Sequence, residues 1–140
     1  MSVLACAIKD NFLMSEVRLK GGSYGIDCEI TPRRATIQSF SDPDPAGALD
    51  AFLRIPDYIS NISAEEVKRA SVAALNSYLR PLHAEERIMK SLERFLLQID
   101  EKNVNNEIDG IFSAGPDKLK KYADIFENGL EKGFYAVISL

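Results

Sequence analysis

Tryptophan is absent from this 140-residue chain, and histidine occurs once, at His83. A single imidazole cannot furnish the histidine set that catalytic zinc centres use. Cysteine is nearly absent as well. Cys6 and Cys28 are the only two, and they form no CxxC pair. Both are expected to be free and largely buried in a reducing compartment, cytoplasmic or the matrix of an organelle, with a disulfide as the lesser option. Basic excess is missing: 17 Lys and Arg stand against 21 Asp and Glu, a net charge of -4. That balance excludes nucleic-acid or anionic-membrane binding as the main task, because both need a basic surface. No apolar run approaches the roughly 18 residues of a membrane span. Met1 to Lys9 is too short, and too uncharged at its start, for a signal peptide. Internal repeats, low-complexity tracts and flexible linkers are also lacking.

What remains is enough chain for one domain with a real core. Val3 to Lys20 carries Leu4, Ile8, Phe12 and Leu13 at helical spacing, and Gly21-Gly22 ends it. Ser23 to Ile30 alternates, with Tyr24, Ile26, Cys28 and Ile30 on one side and Asp27 and Glu29 on the other, the pattern of a half-buried strand. Thr31 to Arg34 reads as a turn into a second strand, Ala35 to Phe40. Asp44-Pro45 suits a helix start, and the helix that follows is expected to bury Leu49, Phe52 and Leu53, with Pro56 interrupting or kinking it before Tyr58 and Ile59. Ser63-Ala64-Glu65-Glu66 is a capping box. It opens a helix running to about Leu79 that buries Val67, Ala70, Ala74 and Tyr78, and Pro81 stops it. The next helix, about Ala84 to Asp100, collects Ile88, Leu92, Phe95, Leu96 and Ile99 on one face. A short helix around Glu107 to Phe112 follows, and Pro116 starts another, with Leu119, Tyr122, Ala123 and Phe126 inward and Gly129 and Gly133 bracketing its end. Phe134 to Leu140 is nearly all apolar and reads as a strand buried on both faces. Helices set against a small, mostly antiparallel sheet of three or slightly more strands define an α+β fold.

One segment stands above this background: Arg18-Leu19-Lys20-Gly21-Gly22-Ser23-Tyr24-Gly25. Two adjacent glycines let the backbone turn sharply and approach a ligand closely. Arg18 and Tyr24 flank the turn, so both could point into one cleft. The plainer alternative gives the glycines only a tight turn, leaves Arg18 solvated and puts Tyr24 in the core beside Ile26 and Cys28. Phosphate binding by the Gly-Gly turn fails on order, because phosphate loops run from strand to helix and this one runs from helix to strand.

The same segment resembles the C-terminal half of the pitrilysin or insulysin family of zinc peptidases, the inverzincins, in their presequence-protease branch. The likeness is carried by Asn11-Phe12-Leu13, Glu16-Val17-Arg18, Gly21-Gly22-Ser23-Tyr24-Gly25, Phe40-Ser41-Asp42-Pro43 and Pro56-Asp57-Tyr58-Ile59. It is clear over about Leu4 to Asn61, and beyond that the order of elements agrees. The resemblance implies a metallopeptidase-type α/β-roll domain in one of two bowl-like halves enclosing a chamber. It places zinc in the N-terminal half, which would be the partner of this chain. It makes Arg18 and Tyr24 the residues that hold the peptide substrate at the scissile bond, Tyr24 and Arg18 serving catalysis, with Gly21 and Gly22 shaping the contact. A donor at the developing oxyanion stabilises the transition state more than the ground state.

Departures from the family pattern set limits. No H-x-x-E-H occurs, and His83-Ala84-Glu85-Glu86 has the wrong spacing, so no cofactor is expected in this chain and the chain alone is expected to be inactive. Ser41 stands where the branch commonly has a basic residue. Glu65-Glu66 and Glu85-Glu86 fall in first turns of helices, where they complement the dipole. The chain is expected to be a single, incomplete C-terminal domain, with an exposed sheet edge open to self-association. The alternative is a catalytically inactive standalone α+β module that binds peptides or a partner protein.

Overall fold

The computed structural model describes residues 1–31, 33–133 and 135–138. In chain order it contains α1 (Ser2–Cys6), a π-helical run (Ala7–Lys20), β1 (Gly25–Ile30), β2 (Ala35–Phe40), α2 (Pro45–Leu53), α3 (Ile55–Asn61), α4 (Ala64–Leu79), α5 (Ala84–Leu96), α6 (Glu101–Phe112), α7 (Pro116–Lys120) and α8 (Ala123–Glu131). Helices and a small antiparallel sheet make the fold α+β, as the sequence order implies.

The first helix continues α1 without a break but winds more loosely from Ala7 onward. Such winding usually appears as single-turn bulges, and here it runs for 14 residues. Its buried positions are Ala7, Ile8, Leu13 and Val17. The steps of five and four residues from Ile8 to Leu13 to Val17 fit a turn wider than the 3.6 residues of an α-helix. Phe12, which α-helical spacing would bury with Ile8, is half-buried and stacks on Tyr58 with ring centroids 4.9 Å apart. The Tyr58 hydroxyl donates to the Ala7 carbonyl at 3.2 Å, and burial pushes it up to about 12.

β1 and β2 pair from Gly25↔Phe40 to Ile30↔Ala35. Thr31 closes the hairpin: its N–H donates to the Arg34 carbonyl at 2.8 Å, and its Oγ1 accepts from the Arg34 N–H at 3.0 Å. Among the described residues the sheet has two strands, fewer than the three expected. The third strand was expected in the apolar C-terminal run. Tyr135, Ala136, Val137 and Ile138 have no regular structure and are exposed. Phe134, Ser139 and Leu140 lie outside the described residues. Composition alone raised the strand expectation, and composition cannot supply a neighbour to pair with.

The core lies where α1 and the π-helical run meet α4, α3 and the inner face of β1. Ile8, Leu13, Ile55 and Ile59 are completely buried, and each stabilises the fold by about 2 kcal/mol through removal from water. α2 starts as expected, with the Asp44 carboxylate accepting from the Gly47 N–H at 3.1 Å and Pro45 in the first turn. It buries Ala48 and Ala51, whereas Leu49 and Phe52 are half-buried and Leu53 is exposed. Small side chains at the contact bring α2 close to the first helix. The chain breaks at Arg54, with Pro56 in the first turn of α3. The Ser63–Glu66 capping box is formed, and α4 buries Val67, Ala70 and Ala74, with Tyr78 half-buried.

The later helices depart more. α6 begins at Glu101, earlier than expected, and the Pro116 helix divides into α7 and α8, which bury Leu119, Ala123 and Phe126. α5 ends at Leu96 and buries nothing: Ile88, Leu92, Phe95, Leu96 and Ile99 are all exposed. Ile88, Leu92, Phe95 and Leu96 share one face of α5, Ile99 lies beyond its end, and no surface among the described residues covers that face.

Candidate functional site

The Gly21-Gly22 turn is built from two backbone requirements. A Cβ on Gly21 would lie 2.6 Å from the Val17 carbonyl oxygen, closer than real contacts allow. Gly22 has φ +81°, in the left-handed region that side chains disfavour. The Gly22 N–H donates to the Arg18 carbonyl at 3.0 Å and the Ser23 N–H to the Val17 carbonyl at 3.2 Å. Both loops are one residue wider than in the Schellman motif that ends an α-helix, in keeping with the wider winding of the run they terminate.

Ser23 then fixes the start of the hairpin. It is 3% exposed, and its Oγ lies 2.9 Å from the Gly25 carbonyl and 3.2 Å from the Phe40 carbonyl, to which it donates in a shared bond. The Tyr24 N–H donates to the carbonyls of Phe40 at 3.1 Å and Ser41 at 3.4 Å. With its backbone held on both sides, Tyr24 projects outward and is 79% exposed. The regular ladder begins at Gly25, so the pleat that buries Ile26 and Cys28 does not govern Tyr24. Its placement beside Ile26 and Cys28 in the core, one of the two readings the sequence allows, is therefore wrong.

Arg18 sits at the exposed end of the run, with Nη1 3.8 Å from the Met14 sulfur. Among the described residues it has no carboxylate partner, and the Tyr24 hydroxyl has no hydrogen bond. Both groups are thus available to an external ligand. Neither lines the two cavities found elsewhere, of about 320 Å³ beside α1 and α7 and about 460 Å³ between the hairpin and α8.

The β2–α2 connection leans on the same turn. Ser41 adopts φ +45°, uncommon for a residue with a side chain. Pro43 Cγ lies 3.4 Å from where a Cβ on Gly22 would be. The Asp42 carboxylate accepts from the Asp44 N–H through Oδ1 at 3.0 Å, and its buried Oδ2 has no partner among the described residues. Ser23 and Asp42 are the site-shaping residues that sequence reasoning passes over. The signals are a lone small hydroxyl after paired glycines and an Asp-Pro-Asp-Pro run.

Electrostatics around the site are local. Glu16 accepts from Lys20 and from Arg54 Nη2, the latter at 3.0 Å, and these bonds hold its carboxyl below the usual range. On the other side of the run, Lys9 and Asp27 pair at 2.9 Å, which lowers the Asp27 carboxyl and raises the Lys9 ammonium. Cys28 is buried and free, and burial pushes its thiol up to about 12; the Cys6 thiol is raised for the same reason. Neither is an activated nucleophile. His83 is exposed at the head of α5, where its N–H donates to Glu86 at 3.0 Å. Among the described residues no three His, Cys, Asp or Glu converge on a possible metal.

The glycines lend themselves to a direct stability test. Gly22→Ala should destabilise the domain by about 1–2 kcal/mol, the cost of a left-handed residue with a Cβ. Gly21→Ala should cost about 1–3 kcal/mol, as overpacking against fixed backbone does. Chemical denaturation of the two variants against the parent checks both values, and a neutral Gly21→Ala would refute the close approach.

The whole chain, residues 1–140, matches the model of the PreP C-terminal domain family. The chain is 24% identical over 143 aligned residues to Protein HypA of Clostridium perfringens, covering 99% of this chain and 14% of that protein. It is 23% identical over 122 residues to the mitochondrial presequence protease of Mus musculus, covering 85% of this chain and 12% of the relative. The chain thus spans about one seventh or less of the length of these relatives. The first-helix, double-glycine and hairpin arrangement described above lies within the matched residues, and the chain belongs to the PreP C-terminal domain family.

Proposed function

We propose that the chain is the substrate-contacting C-terminal part of a metalloendopeptidase that degrades peptides in an enclosed chamber. In this reading Arg18 and Tyr24 grip the peptide backbone at the scissile bond, and the zinc centre belongs to the N-terminal half of the enzyme. The observation that carries it is the outward presentation of Tyr24, a tyrosine 79% exposed at the end of a turn that is otherwise firmly bonded. A hydroxyl with no internal partner is free to donate to a substrate carbonyl. Arg18, on the other side of the Gly21-Gly22 turn, offers a charged planar fork to a second carbonyl. The relatives support the class of activity: one of them is named a presequence protease.

Mechanistically, these residues bind and polarise. As water adds to the scissile carbonyl, negative charge grows on its oxygen, and the Tyr24 hydroxyl shortens its hydrogen bond to that oxygen. Arg18 fixes the register of the peptide so that the reacting carbonyl meets Tyr24. Neither residue takes a proton permanently.

The test compares peptide hydrolysis by the longer polypeptide carrying this chain with that by the 140 residues alone. The longer protein should cleave, and the chain alone should not. Arg18→Ala in the longer protein should raise KM about tenfold, the loss of one charge-assisted contact. Cleavage by the 140 residues alone, or an Arg18→Ala enzyme with unchanged constants, would defeat the proposal. Peptide binding without cleavage by the longer protein would favour a non-catalytic binding module instead.

A further inference from the structure

α5 is a well-secured helix, and among the described residues nothing lies on its apolar side. Glu86 accepts from the His83 N–H at 3.0 Å and from both terminal nitrogens of Arg80, at 3.2 and 2.6 Å. The Lys90 ammonium lies 4.9 Å from the ring centre of Tyr78. These contacts tie the polar side of α5 to the end of α4. On the opposite side, Ile88 is 66% exposed, Met89 64%, Leu92 48%, Phe95 79% and Leu96 68%. Isolated helices of this length are marginal in water, and a continuous apolar patch on a soluble surface marks a contact.

The shape of the stripe narrows the choice of occupant. A symmetric pair of helices from two copies uses a narrow seam flanked by charged residues that match across it. Here Met89 and Leu96 broaden the seam on one side, and Ser91 flanks it on the other. Arg87 and Arg94 fall away from it, Glu93 borders it beside Met89 and Leu96, and Glu85 heads it in the first turn. A stripe of this width is that of a helix facing the core of a globular protein. The aligned segment is 14% of the clostridial relative and 12% of the mouse one, so most of each polypeptide lies outside it.

We infer that the apolar stripe of α5 docks on a broad apolar face of the polypeptide beyond these 140 residues, forming a core-type contact with no ion pairs at its centre. The inference rests on the proposal that the chain works as part of a longer peptidase. In the resulting protein α5 is an internal layer, joined to its own domain by polar contacts and to the rest of the chain by apolar ones.

Hydrogen exchange at α5 amides, measured in the longer protein and in the 140-residue chain, tests this. Exchange should be slower in the longer protein by on the order of a hundredfold, the protection of a buried helix relative to a fraying one. Phe95→Asp should lower the thermal midpoint of the longer protein and leave that of the 140-residue chain unchanged. Equal exchange in the two proteins would overturn the inference while leaving peptidase activity, and so the proposed function, intact. Protection in the 140 residues at twice the monomer mass would assign the stripe to a second copy, and protection there at monomer mass would mean that α5 folds back on its own domain. Either result defeats the inference. Protected α5 in a longer protein without peptidase activity would defeat the proposed function and leave the inference standing.

Discussion

Tyr24→Phe, introduced into the longer enzyme, should lower kcat about a hundredfold with little change in KM. The ring and its position persist, so ground-state contacts are retained. Only the hydroxyl goes, and with it a donor whose bond strengthens as charge develops on the scissile oxygen. Loss of one such donor typically costs ~3 kcal/mol in the transition state. Stability should be unaffected, because among the described residues the hydroxyl bonds to nothing and Tyr24 is largely in water. Steady-state kinetics alongside thermal denaturation separates the effects. If KM rises while kcat holds, Tyr24 contributes uniform binding only. If both constants hold, the substrate-clamp assignment is wrong.

The largest stability loss is expected at Leu13→Ala. Leu13 is completely buried in the wide-wound first helix, between the positions of Ile8 and Val17. Cutting it back leaves a cavity that close packing can only partly fill, at a cost of about 3–5 kcal/mol. A domain with a total stability of roughly 5–15 kcal/mol would lose a large part of it. The midpoint of denaturant unfolding should fall with no change in slope. Leu92→Ala removes the same atoms from α5, where Leu92 is 48% exposed. In the 140-residue chain it should change stability by no more than about 0.5 kcal/mol. The pair of measurements distinguishes burial from mere hydrophobicity. Equal losses would mean that the stripe on α5 is covered within the chain.

Local signals were legible in the sequence wherever local chemistry decides the outcome. The Ser63–Glu66 capping box, the Asp44-Pro45 helix start, the glycines after Lys20 and the β1–β2 hairpin depend on neighbours a few residues away, and all are where the residues place them. Patterns whose meaning depends on distant partners were read less well. The stripe on α5 was legible as one face, but a period reports which residues share a face and says nothing of what lies against it. The Tyr135 to Ile138 segment was apolar enough for a strand, but a strand needs a neighbour to pair with. Tyr24 illustrates a finer limit. Alternation from Ile26 backwards assigns it to the core, and only the bonds of Ser23 and of the Tyr24 amide reveal that the ladder starts one residue later. The wide winding of the first helix left one trace, the five-and-four spacing of Ile8, Leu13 and Val17, which matches helical periodicity closely enough to be missed.

That winding makes the first helix a store of residues. A π-helical turn holds more residues than an α-helical one, so the segment is shorter and thicker than an α-helix of the same count. Ala7 at one end and the Gly21-Gly22 turn at the other are both anchored, the first by Tyr58 and the second by Ser23 and Val17. Deleting one residue between Ile8 and Val17 would therefore be relieved by tightening the coil rather than by stretching the chain. Tightening by about one turn restores the rotation that the lost residue supplied, and Arg18, the first side chain beyond the buried part, keeps its direction. The wide winding is thus slack that lets the helix lose a residue without turning Arg18 away.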